Sequence, residues 1–239
     1  VFPLETPHEM YVYIFRYGRM HYAKMISAFE NIRFEDISNP IEIIDWGCGQ
    51  GIASIALNEN MKSRGIEPNI MSITLIEPSE LTLKRASLHA HKIYPSLTIR
   101  TVSKDFDSLQ SGDVETQNDT TKIHLFSNIL DLNENFFSQK ELISLIEETQ
   151  KGENIFICVS PYQSDDEVDR VDAFKRHFEE SRAVNFTRLY EVENSGKLCD
   201  PYWNCNNNYT GNMGVFCTHR NNGCDCKWTR FIRVFKVII

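Results

Sequence analysis

The amino-acid sequence predicts an α/β protein with a doubly wound, mostly parallel sheet of seven strands. Short apolar runs alternate with helix-like stretches five times or more, which is typical of strand–helix–strand units with right-handed crossovers. The first such run, 41–46, is followed by three glycines at alternate positions. The last two predicted strands, 184–193 and 228–239, have no predicted helix between them, so we expect them to be antiparallel.

The stretch around these glycines has the composition of a ligand-binding turn. The apolar run ends with Asp45 and Trp46 and is interpreted as a buried parallel strand, and a helix-like run begins at Ile52. Glycine is required where a Cβ would block either a tight turn or a ligand that approaches the backbone. The helix after the turn directs its free N–H groups and its partial positive charge toward whatever the turn binds.

The spacing of the acid and the glycines over 45–51 resembles motif I of the class I methyltransferases that use S-adenosylmethionine (SAM). The next predicted strand matches as well, because 73–76 is followed by Glu77-Pro78. In that family the glycine turn passes under the methionine part of SAM, the first acid lies close to it, and the second acid binds the ribose. Over 41–132, the resemblance implies SAM as the cofactor, held by residues of these two motifs: Asp45, Gly47, Cys48, Gly49, Gly51, Glu77 and Pro78.

Two other interpretations of these residues stay open. A carboxylate at a strand end, such as Glu77, could equally accept hydrogen bonds from the ribose of a nicotinamide dinucleotide. The fingerprint of that class is Gly-x-Gly-x-x-Gly, however, which differs from the spacing in this sequence. In the third interpretation the glycines only make a turn and bind nothing.

The third predicted strand, 97–103, ends close to an acid and an aromatic residue, Asp105 and Phe106. The resemblance implies an adenine site here, in which a carboxylate accepts a hydrogen bond from the exocyclic amine and the ring stacks on the base. Asp105 or Asp107 could supply that carboxylate, and the alternative is a solvated loop acid.

The fourth predicted strand, 123–132, carries polar residues near the expected position of methyl transfer. Asn128 is expected to contact the cofactor, and Asp131 is a candidate general base. His124 lies within the strand, where we expect a core histidine with satisfied hydrogen bonds rather than a catalytic one. Two residues outside this strand are further candidates for the general base: Tyr162 and His219.

The N-terminal segment, 1–36, contains a predicted helix over 6–35 that is opened by Thr6-Pro7. Aromatic and basic residues alternate around Gly18, and that glycine weakens the helix. One interpretation is an amphipathic helix that covers a sheet edge. The other is a lid over the SAM pocket, as many methyltransferases of this class have, in which one of three residues contacts cofactor or substrate: Tyr17, Arg19 or Tyr22.

The segment 195–227, between the last two strands, is too long for a hairpin turn and is rich in Asn, Gly and Cys. It leaves from the carboxyl end of the penultimate strand, so we expect it to overhang the cofactor edge and to recognise the substrate. It contains no Cys-x-x-Cys pair, so we predict no metal, although zinc, reduced thiols and disulfides all stay open. The side chains concerned are Cys199, Cys205, Cys217, His219, Cys224 and Cys226.

From residue 195 onward six basic residues occur with only two acidic ones, and aromatic residues are interleaved with them. Such a patch could stack bases and bind phosphates, which favours RNA or another nucleic acid as the methyl acceptor. The alternative is a solvated strand face with ordinary packing aromatics. The whole chain is acidic, with 33 Asp and Glu against 25 Lys and Arg, which argues against non-specific nucleic-acid binding.

A chain of 239 residues with 41% hydrophobic content can form one well-cored domain, so we expect a single domain over 1–239. Neither a signal-like leader nor an apolar run that could span a bilayer occurs, which predicts a soluble, cytoplasmic protein without a membrane partner. The sequence starts at Val1, so it could be one domain of a longer chain or complex. With the two motifs, we predict a SAM-dependent methyltransferase; a non-catalytic SAM-binding module of a larger assembly and a small-molecule methyltransferase are the alternatives.

Overall fold

A computed structural model describes residues 4–161, 164–194 and 230–239. Within these ranges the strands are β1 (Ile41–Trp46), β2 (Ile70–Ile76), β3 (Thr98–Val102), β4 (Thr121–Ser127), β5 (Glu153–Ser160), β6 (Phe186–Asn194) and β7 (Arg230–Ile238). The α-helices are α1 (Pro7–Tyr13), α2 (Arg19–Phe29), α3 (Ile52–Ser63), α4 (Glu80–Ile93), α5 (Ser111–Val114), α6 (Gln139–Thr149) and α7 (Asp165–Ser181). None of these helices is both long enough and apolar enough to cross a membrane.

The strands form one seven-stranded sheet in the order β3-β2-β1-β4-β5-β7-β6. The first five strands run parallel to one another, and β7 is antiparallel to both β5 and β6. The predicted α/β fold with a doubly wound, mostly parallel sheet is therefore confirmed. Strand order reverses between β1 and β4, and in open sheets of this kind ligands bind at the carboxyl ends of the strands beside such a reversal.

Side chains of β1 alternate between two apolar layers, one on each face of the sheet. Ile43 belongs to the layer formed with α2, α3 and α4, which includes Leu57. Ile44 and Trp46 belong to the opposite layer, formed with α6 and α7, which includes Phe174. Every residue of β1 is buried, because helices cover both faces of the sheet.

The N-terminal segment differs from the single helix that the sequence predicts over 6–35. Thr6 opens α1 with a reciprocal pair of hydrogen bonds to Glu9, in agreement with the predicted start. A π-helical turn at Ile14–Gly18 then separates α1 from α2, and α2 ends at Phe29. A π-helical turn changes the direction of the side chains that follow, and such turns are frequent at functional sites.

Candidate functional site

The turn after β1 is built from residues in the left-handed region of backbone space. Gly47 and Gly49 have φ angles of 61° and 51°, which residues with a Cβ rarely adopt. A Cβ on Gly47 would lie 2.4 Å from Cδ1 of Ile129, so the close approach of the loop after β4 also requires this glycine. A Cβ on Gly49 would meet no described atom within 4 Å, so a ligand can approach this face of the turn.

Glu77 directly follows β2 and contacts the turn from the side. Its Oε2 accepts a hydrogen bond from the Gly49 N–H at 3.1 Å, and its Oε1 accepts one from the Ser79 N–H at 3.1 Å. Burial raises the pKa of the Glu77 carboxyl, and the two hydrogen bonds oppose this shift. Each carboxylate oxygen keeps a second lone pair, so Glu77 can still accept hydrogen bonds from the diol of a ligand. Pro78, next to it, is exposed.

Asp45 is a buried acid near the turn, and its charge is only partly compensated. Its Oδ2 accepts a hydrogen bond from the Ser54 hydroxyl at 2.7 Å, whereas Oδ1 has no hydrogen-bond partner among the described residues. Burial raises the pKa of Asp45 to about 7, and the charge of Glu77 acts in the same direction. A buried acceptor without a donor costs about 1–3 kcal/mol, so a ligand that brings an N–H group or a positive charge is favoured here.

Cys48 and Gly51 belong to the same motif, and both have packing roles. The Cys48 side chain is buried, and burial raises the pKa of its thiol well above the usual range. A Cβ on Gly51 would lie 3.2 Å from Cα of Ala86, so Gly51 allows the start of α3 to approach α4 closely. A contact of either residue with a cofactor stays a prediction.

Asp105 and Phe106 follow β3 and lie at the same edge of the sheet. Cζ of Phe106 is 3.6 Å from the Cβ position built on Gly47, and its ring packs edge-on against Phe137 with centroids 5.1 Å apart. Asp105 is exposed, and its carboxylate accepts a hydrogen bond from the Ser108 N–H at 2.9 Å. The predicted adenine contacts of this pair stay predictions.

Asn128 ends β4 because its φ is 59°, a left-handed value that no extended strand can contain and that asparagine tolerates better than most residues. The prediction that this strand continues to residue 132 is therefore wrong, and β4 ends at Ser127. The Asn128 N–H donates to the Val159 carbonyl at 2.8 Å. Its carboxamide Nδ2 lies 2.7 Å from Nδ1 of His21 and 3.0 Å from the Ser127 hydroxyl.

Asp131 lies three residues further on and is fixed by β5 and α7. The Ser160 hydroxyl donates a hydrogen bond to Oδ1 of Asp131 at 2.9 Å, and Nε of Arg170 donates to its main-chain carbonyl at 2.8 Å. Burial raises the pKa of Asp131, while the positive charges of Lys24 and Arg170 oppose the shift. A raised pKa makes this carboxylate a better proton acceptor, as a general base requires.

The N-terminal segment is tied across this edge of the sheet by hydrogen bonds to residues around the turn. One comes from the residue after Pro78 and one from within the glycine turn: the Ser79 hydroxyl donates to the Leu4 carbonyl at 2.5 Å, and Nε2 of Gln50 donates to the Met10 carbonyl at 3.0 Å. Others join Tyr22 to Glu59, at 2.5 Å, and His21 to Asn128. The segment therefore covers the turn, and its action as a lid stays a prediction.

Two residues of this segment that reach the edge of the sheet are not singled out by the sequence. These are Tyr13 and His21, whose hydroxyl oxygen and Nε2 atom lie 3.2 Å apart. Tyr13 and His21 lie four residues before and four residues after Tyr17, and both rings contact the ring of Tyr17. This helical spacing is the sequence signal that could have indicated them. Of the residues that the sequence does single out, Tyr22 bonds to α3, Tyr17 is 42% exposed, and the side chain of Arg19 lies outside what the structure describes.

His124 is confirmed as a core histidine with satisfied hydrogen bonds. Nε1 of Trp46 donates to its Nδ1 at 3.1 Å, so its Nε2 carries the hydrogen and donates to Oδ1 of Asn154 at 2.9 Å. Burial lowers the pKa of His124 to about 3. A neutral histidine with both ring nitrogens bonded has a structural role.

The remaining candidate residues lie outside the described residues, so their roles stay predictions: Tyr162, Cys199, Cys205, Cys217, His219, Cys224 and Cys226. The predicted insert, 195–227, lies there too. In the part of the chain that the structure describes, Cys48 and Cys158 are free thiols. No group of three or more His, Cys, Asp and Glu side chains in that same part could hold a metal ion.

Two solved structures share this fold over almost their whole length. An rRNA methylase from Streptococcus thermophilus superposes with a TM-score of 0.53 over 90% of this chain and 97% of its own, at 10% sequence identity. A Streptococcus mutans protein, provisionally assigned as a methyltransferase and crystallised with SAH, gives a TM-score of 0.50 over 90% of this chain and 98% of its own, at 10% identity. The protein thus has the α/β fold of the class I methyltransferases. No protein-family model matches the sequence, and no curated protein matches it.

Proposed function

We propose that the protein is a SAM-dependent methyltransferase. The observation that carries the proposal is the buried Oδ1 of Asp45, which has no partner among the described residues and belongs to the strand that leads into the glycine turn. Such a site favours a ligand with a positive charge and N–H donors, and the ammonium group of an amino-acid ligand brings both. The fold is shared with the S. mutans protein that was crystallised with SAH, which supports the same choice of cofactor.

The residues at the turn fit SAM. Gly49 leaves space for the methionine part, Asp45 would bind its ammonium group, and Glu77 would accept hydrogen bonds from the ribose hydroxyls. When bound, SAM supplies an electrophilic methyl group on a positively charged sulfur. The negative charges of Asp45 and Glu77 favour a cationic ligand at this edge of the sheet. The proposal includes cofactor contacts by the other residues of the predicted site: Gly47, Cys48, Gly51, Pro78, Asp105, Phe106 and Asn128.

The same charges disfavour a nicotinamide dinucleotide. A dinucleotide would place its pyrophosphate at the start of α3, where it requires free backbone N–H groups. The Gly49 N–H already donates to Glu77, and the charges of Glu77 and Asp45 are close enough to raise the pKa of Asp45. The carboxylates of Asp45 and Glu77 would repel the two phosphates of a dinucleotide, so SAM is the better fit.

The contribution of the chain to the reaction is alignment and proton removal. Holding an acceptor in line with the methyl group can lower the barrier by about 7–11 kcal/mol. We assign Asp131 as the general base for an acceptor that holds its proton, because burial raises its pKa and the Ser160 hydroxyl fixes its carboxylate. Tyr162 and His219 are the other candidates for this role.

Our proposal for the acceptor is RNA, supported by the basic and aromatic residues from 195 onward. In this proposal residues 1–239 form one domain, 1–36 act as a lid, and the insert 195–227 contacts the acceptor without a metal. A cytoplasmic location belongs to the same proposal, supported by the free thiols of Cys48 and Cys158, which are typical of a reducing compartment.

Calorimetry with SAM, SAH and NAD⁺ tests the cofactor. We expect saturable binding of SAM and SAH and no binding of NAD⁺. Glu77→Ala should weaken SAM binding by about 10–100-fold, because a charged acceptor of two hydrogen bonds is lost. Glu80→Ala, a matched change at an exposed position three residues away, should leave the affinity unchanged. Binding of NAD⁺ but not of SAM would contradict the proposal.

Transfer of tritiated methyl groups from SAM to a cell extract tests the reaction. We expect label in a fraction that ribonuclease treatment removes. Label that survives ribonuclease would identify a protein or small-molecule acceptor and would contradict the RNA part of the proposal. Binding of SAM without transfer to any fraction would identify a non-catalytic SAM-binding module.

A further inference from the structure

The outer side of the N-terminal segment is aromatic and carries no acidic residue. Tyr11 is 63% exposed and Tyr17 is 42% exposed, and Phe136 is the one further aromatic side chain that is exposed among the described residues. No Asp or Glu occurs between Glu9 and Glu30, although the chain as a whole is acidic. Tyrosine is enriched at interfaces because it combines a large apolar ring with a polar hydroxyl, so this side of the segment is suited to a partner.

A groove with a volume of about 340 Å³ lies between this segment and α3. Its apolar walls are Tyr11, Ile14, Phe15 and Tyr22 of the segment and Ile52 and Ile55 of α3. The rings of Tyr11 and Phe15 are stacked, with centroids 5.9 Å apart and planes 19° from parallel. A flat apolar ligand would therefore find aromatic surface on one side of the groove and aliphatic surface on the other.

Gly18 also lines this groove, and the backbone does not require a glycine there. Its φ is −55°, an ordinary helical value that any residue adopts. A Cβ on Gly18 would lie 3.4 Å from Cγ2 of Ile14, so a larger side chain would press on one wall of the groove. Glycine weakens a helix relative to alanine, and we attribute its presence at this position to the space that it leaves.

A second aromatic pair leads from the surface toward the proposed cofactor site. The ring centroids of Tyr13 and Tyr17 are 5.4 Å apart, and those of Tyr17 and His21 are 6.2 Å apart. His21 in turn bonds to Asn128 at the end of β4. A flat group that stacks on the exposed ring of Tyr17 would therefore lie close to the edge of the sheet that carries the site.

Arg16 separates the two aromatic pairs in the sequence. Its side chain is exposed, and no carboxylate of the described residues forms an ion pair with it. Arg19 adds a second positive charge to the same acid-free stretch. The net charge of −8 repels phosphate groups from most of the molecule, so a polyanion is directed to a stretch of this kind. A guanidinium group can also bind a phosphate with two parallel hydrogen bonds.

We propose that this N-terminal surface, formed by Tyr11, Phe15, Arg16 and Tyr17, binds unpaired nucleotides of single-stranded RNA. One base enters the groove beside Tyr11, a neighbouring base stacks on Tyr17, and a phosphate between them binds Arg16. Stacking on aromatic side chains suits every base, because every base has a flat face. In a duplex these faces are already stacked on one another, so a duplex cannot use the surface. This inference rests on the proposed function, since it names single-stranded RNA as the class of acceptor.

Binding of a fluorescent RNA of about 12 nucleotides to the whole protein, followed by anisotropy, is the first test. We expect the single strand to bind and the duplex of the same sequence to bind at least about tenfold more weakly. Tyr11→Leu and Tyr17→Leu should each weaken binding about 5–100-fold, because they keep an apolar side chain but lose the ring. Tyr11→Phe keeps the ring and should keep the affinity. Leu88→Ala, at an apolar position on α4 that is 71% exposed, is the control.

The salt dependence of this binding separates the role of Arg16 from that of the tyrosines. Loss of one phosphate contact lowers the slope of log K against log salt concentration by about 0.7 for a single strand. Arg16→Gln should show this change, whereas Tyr11→Leu should keep the slope of the unaltered protein. Arg176→Gln, a matched change at an exposed arginine on α7, should alter neither slope nor affinity. An unchanged slope in Arg16→Gln would contradict the assigned phosphate contact and overturn the inference.

Photochemical crosslinking gives the position of the bases directly. RNA that contains 5-iodouridine couples on irradiation to an aromatic ring on which the modified base stacks. We expect mass spectrometry to find the RNA attached to Tyr11, Phe15 or Tyr17. Attachment only at residues outside 11–17 would overturn the inference. Unaltered RNA affinity in both Tyr11→Leu and Tyr17→Leu would do so as well, and the groove would then be assigned to a protein partner.

Two further results distinguish this inference from the proposed function. A protein that binds SAM but no single-stranded RNA would refute this inference and leave the proposed cofactor standing. A protein that binds RNA through Tyr11 and Tyr17 but does not bind SAM would refute the methyltransferase and leave the RNA surface standing. In the methyl-transfer assay, Tyr11→Leu should raise the KM for RNA and leave the dissociation constant for SAM unchanged.

Discussion

The Glu77 carboxylate accepts a hydrogen bond from the Gly49 N–H at 3.1 Å, and this contact joins the ends of two adjacent parallel strands. β1 and β2 are in register up to Trp46 and Ile76, so the residues that follow them emerge side by side. The position of the Gly49 peptide thus depends on Glu77. In the proposed complex, the groups that bind the ribose and the methionine part of SAM are therefore directly connected.

Gly49→Ala should weaken SAM binding at only a small cost in stability. Gly49 and Gly65 both have left-handed φ angles, 51° and 66°, and a Cβ on either would meet no described atom within 4 Å. Both alanine substitutions should therefore lower the free energy of unfolding by about 1–2 kcal/mol, which urea denaturation would measure. Only Gly49→Ala places a methyl group on the proposed ligand face, so we expect a loss of about tenfold in SAM affinity by calorimetry. Equal affinities in the two variants would show that this face is not the ligand face.

Asp172→Ala should strongly destabilise the protein. The buried guanidinium of Arg233 on β7 donates to both carboxylate oxygens of Asp172 on α7. Nε donates to Oδ1 at 2.6 Å, and Nη2 donates to Oδ2 at 2.9 Å. Removal of the carboxylate breaks a buried, doubly hydrogen-bonded ion pair, which costs about 3–5 kcal/mol. Glu179→Ala removes the carboxylate that binds the exposed Arg188 and should lower the free energy of unfolding far less, because solvent screens that pair. Urea denaturation of both variants measures the difference, and similar losses would contradict this assignment.

The edge of the sheet that carries the site is predictable because parallel strands present their carboxyl ends on the same side. Asp45 and Glu77 each close an apolar run, and the glycine spacing gives the turn between strand and helix. Local rules also predict helix starts correctly, since Thr6 opens α1 and the Ser138 side chain accepts the Glu141 N–H at the start of α6. These features depend on neighbours within a few residues.

The contacts that complete the site are not predictable in this way because they join distant segments. The π-helical turn at Ile14–Gly18 changes which side chains face the sheet, so His21 rather than Tyr22 reaches Asn128. Asparagine only tolerates a left-handed backbone and does not require it, so the sequence does not indicate that β4 ends at Ser127. The ring of Phe106, expected on an adenine, packs partly against Phe137 in the core.

Acid should destabilise the protein through His124. Burial lowers the pKa of His124 from 6.5 to about 3, so the unfolded state takes up a proton before the folded state does. The contribution of neutral His124 to the free energy of unfolding is therefore complete above about pH 6.5. It falls by up to about 1.4 kcal/mol for each pH unit as the pH drops toward 3. His124→Gln keeps an amide that can bond to Trp46 and Asn154 but cannot be protonated.

Urea denaturation at pH 7 and pH 5 measures this effect. The unaltered protein should lose more stability between the two pH values than His124→Gln does. His91→Gln, a matched change at an exposed position, should behave like the unaltered protein. An equal loss in His124→Gln would show that other groups cause the acid sensitivity.

The affinity for SAM should rise with pH through about 7, because Asp45 must be ionised to attract the ammonium group. Burial raises the pKa of Asp45 from 3.8 to about 7 in the free protein. The unfolded chain ionises first, so the free protein loses stability as the pH rises from about 4 to 7, and a bound cation offsets this loss. Below pH 7 each SAM molecule must displace a proton from Asp45, which lowers the affinity by up to about tenfold for each pH unit.

Asp45→Asn isolates this effect, because the side chain keeps its shape and has no proton to lose. Calorimetry from pH 5.5 to 8 should show weaker binding by the variant at the upper end of the range and similar binding at the lower end. The ratio of the two affinities cancels the titration of the ligand itself, so its midpoint reports Asp45 alone. Ser54→Ala should move that midpoint to higher pH, because the Ser54 hydroxyl stabilises the ionised carboxylate. A ratio that does not change with pH would show that Asp45 does not contact the ammonium group, and the proposed orientation of SAM on the turn would then be wrong.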